Sequence, residues 1–192
     1  MPEPLPVCKP RLRGVLHQWA FVASLPLGLA LVLTAGSARA RVAVALYALS
    51  VAALFGTSAL YHRVNWRSLN ARLWMRRLDH SMIFVLIAGT YTPFAVLVLH
   101  GSLALAILVV VWAGALAGIA FNLVWTNAPK WLHALLYVAL GGVLYTLGAL
   151  IYSAKRPDPS PAVFGYHELF HALVVVAAAL QYAVIVFWIA PD

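Results

Sequence analysis

An all-α bundle of several transmembrane helices is the fold class this sequence predicts, and three observations predict it. Hydrophobic residues fill 64% of the 192 positions and charged residues only 9%, where a soluble domain carries about a quarter charged residues. A water-soluble fold of this length has too little interior to hide that much apolar surface. The apolar residues also fall into six runs of roughly bilayer-crossing length, with the charges gathered in the gaps between them. The net charge of +8 therefore reads as a set of orientation signals in a multi-pass protein of the cell membrane, with lipid as its surroundings and no nucleic-acid partner. Cys8 is the only cysteine, which excludes an intrachain disulfide and a cysteine-based metal site.

Residues 1–16 form a basic segment with Lys9, Arg11 and Arg13, and residues 17–190 form the helix bundle. The first run covers Trp19 to about Gly36 and is followed by Ala38-Arg39-Ala40, a sequence like a signal-peptide cleavage site. The run is longer than the apolar part of a signal peptide, so a first transmembrane helix is the better reading. Run two spans Val42 to Tyr61 and run three Ser81 to Leu99, with Arg63, Arg67, Arg72, Arg76 and Arg77 between them. Short arginine-rich connections stay cytoplasmic. His100-Gly101-Ser102, without lysine or arginine, makes a tight outer hairpin into run four, which ends near Trp125. With the basic N-terminal segment, these signals put the N-terminus in the cytoplasm, weakly opposed by Arg39 and Arg41. Thr126 to Lys130 form a loop with a proline, and run five, Trp131 to Ala154, is long enough to cross about once. Lys155 to Pro161 are a proline-rich break before run six, Val163 to Ile189.

Several polar residues sit where such a chain should have none. Ionisable side chains in a membrane span are costly and point to function. His167 and His171 open run six one helical turn apart, so both imidazoles lie on one face and can share a cation. Ser58 and His62 close run two, and Asp79 and His80 open run three, so both sets lie at the same cytoplasmic boundary. Taken singly, His62 reads as an interfacial histidine reaching for water, and Asp79 as a helix-start residue favoured by the macrodipole or paired with Arg76 or Arg77. Taken with His167 and His171, they make a three-histidine site with a carboxylate beside it. Zinc suits that donor set, because three neutral imidazoles with an open fourth position are a hydrolytic arrangement. Asp79 can orient a water there or take its proton. Ser58, one turn before His62, can hydrogen-bond the site or a substrate carbonyl, and interhelical packing accounts for it nearly as well.

His167-Glu168-Leu169-Phe170-His171 is also a literal H-E-x-x-H, the metalloprotease signature with Glu168 as general base. No histidine follows His171, and the remaining carboxylate is the near-terminal Asp192, so that reading lacks its third ligand. His62 supplies one from another helix, which leaves Glu168 incidental to the chemistry. His17, His100 and His133 lie at run ends, and His80 points about 100° away from Asp79, so all four read as interfacial polar residues. The tryptophans Trp66, Trp74, Trp112, Trp125, Trp131 and Trp188 read as interface belts or packing.

The segments Ser58-Ala-Leu-Tyr-His62, Arg77-Leu-Asp79-His80-Ser81 leading to Ala88-Gly-Thr-Tyr-Thr-Pro-Phe94, and His167-x-x-x-His171 resemble the hemolysin III family. That family is the bacterial branch of the progestin and adipoQ receptor group, and the resemblance covers most of the chain after its N-terminal segment. It implies a seven-helix bundle with zinc at the cytoplasmic side, held by His62, His167 and His171. It also implies Asp79 as the residue that holds the water on zinc, with Ser58 as its polar neighbour. Related receptors resemble ceramidases, which implies a zinc-dependent hydrolase of a lipid amide with membrane lipid as substrate. The name of the family implies a non-enzymatic alternative, a lytic pore or a receptor-like signalling module. The family has two helices where this chain has only Trp131 to Ala154. Trp131 to Tyr137 resembles the start of one helix and Leu144 to Arg156 the end of the next, so about one helix is missing near Leu140-Gly141-Gly142. If run five simply crossed, His167 and His171 would open the last helix about 30 Å from His62. A preserved site requires run five to turn back near Gly141-Gly142, which the cytoplasmic preference of Lys155 and Arg156 favours.

Overall fold

The computed structural model describes residues 10–124 and 143–190, and within them the chain is helical, apart from short connections and one antiparallel bridge between Ser160 and Phe164. The helices are α1 (Val15–Thr34), α2 (Ala38–Arg63), α3 (Leu69–Pro93), α4 (Gly101–Val124), α5 (Val143–Ala154) and α6 (Tyr166–Val184). α3 and α6 each run on into one π-helical turn, Phe94–Val98 and Ile185–Ile189. Five of these stretches are long and apolar enough to cross a membrane: Val15–Thr34, Ala38–Arg63, Leu69–Val98, Gly101–Val124 and Tyr166–Phe187. This is the multi-span all-α bundle that the composition predicts. Within the described residues α5 covers 12 positions, about 18 Å of helix. The readings placed on Trp125, Thr126 to Lys130, Trp131 to Tyr137, His133 and Gly141-Gly142 lie outside the described residues, as does the gap of about one helix.

Local chemistry sets the helix ends. Ser37 caps α2 by accepting a hydrogen bond from the Ala40 amide at 3.1 Å, so Ala38-Arg39-Ala40 is the first turn of a membrane helix, with Ala40 fully buried. α3 starts at Leu69, well before the apolar run that announced it, with Ser68 as its N-cap. Its first turns carry Arg72, Arg76 and Arg77, which an apolar count cannot register, and the arginine-rich connection shrinks to residues 64–68. The Arg77 guanidinium lies 4.8 Å from the Trp74 ring centroid, a cation–π pair suited to a membrane boundary. Pro93 ends the regular part of α3, because it has no amide to donate and its ring crowds the preceding turn; the π-helical turn follows at once.

The core lies between α1, α2, α3 and α6, where Leu31, Tyr47, Leu54, Phe55, Leu86, Val174 and Ala178 are buried. Lipid offers no hydrophobic gain for helix association, so close packing and interhelical hydrogen bonds must supply it. Tyr47 of α2 donates its hydroxyl to the Ala178 carbonyl of α6 at 3.1 Å, inside the core. Glycines set the closest approaches: Gly89 of α3 meets Ser50 of α2, and a Cβ at Gly118 of α4 would stand 2.7 Å from the Phe84 ring of α3. Gly118→Leu is therefore expected to lower stability by about 1–3 kcal/mol, the usual cost of overpacking. Unfolding of the purified protein in detergent, followed by circular dichroism, measures it.

The contacts fix which helix ends share a face. α4 runs antiparallel to α3, with Trp112 donating to the Thr92 hydroxyl at 3.2 Å and Gly118 against Phe84. Val124 at the end of α4 therefore returns to the face where α2 ends and α3 begins. α6 begins on that same face, because His167 touches His62. The chain between Val124 and Tyr166 thus leaves and re-enters one face of the bundle. α5 packs antiparallel along the first half of α6, with Gly148 against Phe170 and Tyr152 against Tyr166, and it delivers Lys155 to Pro161 to the His62 face.

Candidate metal centre

Each polar residue of the site is placed by a helix end. His62 lies in the last turn of α2, with Ser58 one turn earlier, and both are buried. His167 and His171 occupy the first turns of α6. That helix start is built from carboxylates: Asp158 accepts from the Tyr166 amide at 2.8 Å and Glu168 from the Gly165 amide at 2.9 Å. Two amide donors at the helix entry are thereby satisfied, and two negative groups face the positive end of its dipole. The second Glu168 oxygen forms an ion pair with Arg13, and the residue is only 1% exposed. Both oxygens are engaged away from the imidazoles, so Glu168 is a capping residue and not the base of a metalloprotease.

Three imidazoles converge. The Nε2 atoms of His62 and His167 stand 3.2 Å apart, and one ligand atom from each of His62, His167 and His171 lies within 4.8 Å of the others. Two nitrogens on one tetrahedral zinc, each at about 2.0–2.1 Å, would stand about 3.3 Å apart. The His62–His167 pair has that spacing already, and the ligand atom of His171 lies within 4.8 Å of both. Lone pairs of neutral imidazoles gathered in a buried space repel unless a proton or a cation lies between them, so this donor set fits a metal ion.

Asp79 lies on α3 facing this cluster, its Oδ2 3.8 Å from His62 Nε2. It sits ten residues beyond the start of α3, too deep for the macrodipole of the first turn to explain. Ser58 is within hydrogen-bonding reach of the Asp79 carboxylate. The structure therefore brings together all five residues singled out from the sequence: Ser58, His62, Asp79, His167 and His171.

Two neighbours escaped the sequence reading. His17, expected at an interface, is 2% exposed in the first turn of α1 and stacks on His171. No local spacing in the sequence signals that contact. Tyr152 of α5 packs edge-on to His167, with ring centroids 5.3 Å apart. His80 is half-buried on α3 and His100 is exposed beyond its end.

Fold and site together define a class: a multi-pass α-helical membrane protein with a buried imidazole cluster at one end of its bundle. The profile of the family described as haemolysin-III related matches residues 6–141 and 133–182, and the chain belongs to that family. The hemolysin-3 homolog of Bacillus subtilis is 30% identical, over 91% of this chain and 92% of the relative. Hemolysin-3 of Bacillus cereus is 26% identical, over 93% and 90%. A shorter match, 41% identical over 64 residues, joins 31% of this chain to 19% of the ADIPOR-like receptor IZH2 of Saccharomyces cerevisiae, in keeping with the wider progestin and adipoQ receptor group. The two matched segments of the profile overlap at residues 133–141. The alignment to the Bacillus subtilis relative also runs over 203 residues, more than this chain's 192, so that relative fills gaps in it.

Proposed function

We propose that this protein is a zinc-dependent hydrolase of a lipid amide, working at the cytoplasmic boundary of the cell membrane. The observation that carries the reading is the convergence of His62, His167 and His171 beside the Asp79 carboxylate. When bound, zinc supplies Lewis-acid polarisation of a carbonyl and makes a water easier to deprotonate near neutral pH. The three imidazoles would hold the ion through ring nitrogens and leave a fourth position free. Asp79 would accept a hydrogen bond from the attacking water and then take its proton. Ser58 would donate to Asp79 and keep the carboxylate facing the cluster. Burial of these groups keeps bulk water away and strengthens each interaction. The cluster lies where α2 ends and α6 begins, and a site at the end of membrane-spanning helices would meet a lipid near the junction of headgroup and acyl chains. Choice of an amide over an ester rests on the family's resemblance to ceramidases.

The test is turnover of a fluorescent ceramide analogue by purified protein in detergent, with the ester analogue alongside. Activity is expected to vanish on chelation and to return with added zinc. Protein that holds its metal and turns over neither substrate would leave the second reading, a receptor-like signalling module. A lytic pore has less support, because among the described residues the hydroxyls of Ser50, Thr90 and Thr92 within the spans bond carbonyls of their own helices.

Orientation is part of this proposal. The arginines of the α2–α3 end, together with Arg11 and Arg13, share a face with Lys155 and Arg156, which favours that face as cytoplasmic. In a Cys8→Ser background, a cysteine placed at the exposed Ala162 is expected to resist an impermeant thiol reagent in intact cells and to react after permeabilisation. Strong labelling of intact cells would reverse the orientation.

A further inference from the structure

We propose that His17 is a positioning residue of the metal centre: its ring lies face-on against His171 and fixes the direction in which that imidazole presents its nitrogen. The inference rests on the metal reading above. The two rings are 3.8 Å apart between centroids and 10° from parallel, while the rings of His62, His167 and His171 meet one another at 57° to 81°. An imidazole binds a metal through a lone pair in the plane of its ring. Two parallel, stacked rings cannot both aim such lone pairs at one ion lying between or beside them, so His17 acts on His171 through its face and not as a fourth ligand.

Burial makes the residue costly. His17 is 2% exposed, and its ring makes no well-formed hydrogen bond among the described residues beyond a weak one to the His171 backbone. Burying an imidazole with so little hydrogen bonding is unfavourable, so a purely packing role would be served better by an apolar side chain. The ring also meets Phe55 of α2, centroid to centroid 5.1 Å, so it is in contact with both α2 and α6.

The backbone that carries His17 is itself tied to the site. Gly14 adopts φ +76° directly against His62, and a Cβ there would stand 2.6 Å from the His62 Cβ. Only glycine fits both the left-handed conformation and that approach. Arg13 pairs with Glu168, and the amides of Arg11 and Leu12 donate to the carbonyls of Ala162 and Val163 at 3.1 and 3.3 Å. Residues 10–17 thus form a fourth wall of the centre, touching the ends of α2 and α6 together. Metal sites commonly orient a ligating histidine through a hydrogen bond to its second nitrogen; here the orientation comes from ring stacking.

The experiment compares wild type, His17→Ala and His17→Phe in two readouts. In the cobalt-loaded protein, His17→Ala is expected to change the tetrahedral d–d absorption and to weaken metal affinity about tenfold or more. His17→Phe, which restores a flat ring without nitrogens, is expected to return both to wild-type values. In the metal-free protein labelled with 13Cε1-histidine, the His171 signal is expected to move in His17→Ala through loss of the neighbouring ring current. An unchanged cobalt spectrum in His17→Ala overturns the proposal, as does a folded His17→Phe protein that behaves like His17→Ala. Wild type that binds no cobalt or zinc would sink the metal reading itself. The metal-free spectra would still report the stack in that case: a His171 signal unmoved in His17→Ala overturns the positioning role independently.

Discussion

Purified wild-type protein is expected to carry about one zinc per chain, and His171→Ala almost none. Three imidazoles with no cysteine or carboxylate donor leave little redundancy: removing one leaves two ligands, below the number that holds zinc in protein sites. His171 is the deepest of the three, 2% exposed against 9% for His62 and for His167. Water is therefore poorly placed to replace its nitrogen. His62→Ala should behave alike, although it lies on a different helix, because the pair His62–His167 is already at ligand spacing across α2 and α6. His100→Ala, beyond the end of α3 and exposed, is the control and should retain its metal. Elemental analysis of the four proteins decides the matter. Full zinc retention in both His62→Ala and His171→Ala would remove the three-histidine centre.

Asp79→Asn is expected to keep the metal and to lose lipid-amide hydrolysis by tenfold or more. The substitution preserves shape and leaves the imidazoles untouched, but an amide cannot accept the proton of an attacking water. Its loss should appear in kcat with little change in KM, because Asp79 is assigned to the reacting water and not to substrate binding. The 3.8 Å separation between its Oδ2 and His62 Nε2 allows a second outcome. If Asp79 instead anchors His62, the asparagine protein should lose zinc as well as activity, and the role given to Asp79 would be wrong. Zinc content and turnover measured on the same preparation separate the two.

Most of the site could be read from the sequence because it is built from local spacing. The pair His167 and His171, and the pair Ser58 and His62, each lie one turn apart, so a helix places them on one face whatever the tertiary fold. Asp79 was recognisable as a charge beside an apolar run, but its position deep within α3 was not. The arginine-rich turns ahead of it look like a loop to any apolar count and fold as helix, since their long side chains reach water from a membrane boundary. Glu168 showed the limits of motif matching. A carboxylate three residues after Gly165 serves a helix cap as readily as a metal, and here the cap and Arg13 hold it. His17 was hidden for another reason. Its partner His171 is distant in the chain, and no spacing encodes a stack between the first and last helices.

The shared face of Val124 and Tyr166 has a use at the bench. Because the intervening chain comes back to the side it left, the two extremities of the described bundle, Pro10 and Ala190, emerge on opposite sides. A reporter that folds in one compartment only will glow when fused to one end and stay dark when fused to the other. A purification tag at the far end also stays a full bilayer away from the histidines, whereas Pro10 lies on their side. Binding data from tagged protein should therefore come from the C-terminal version.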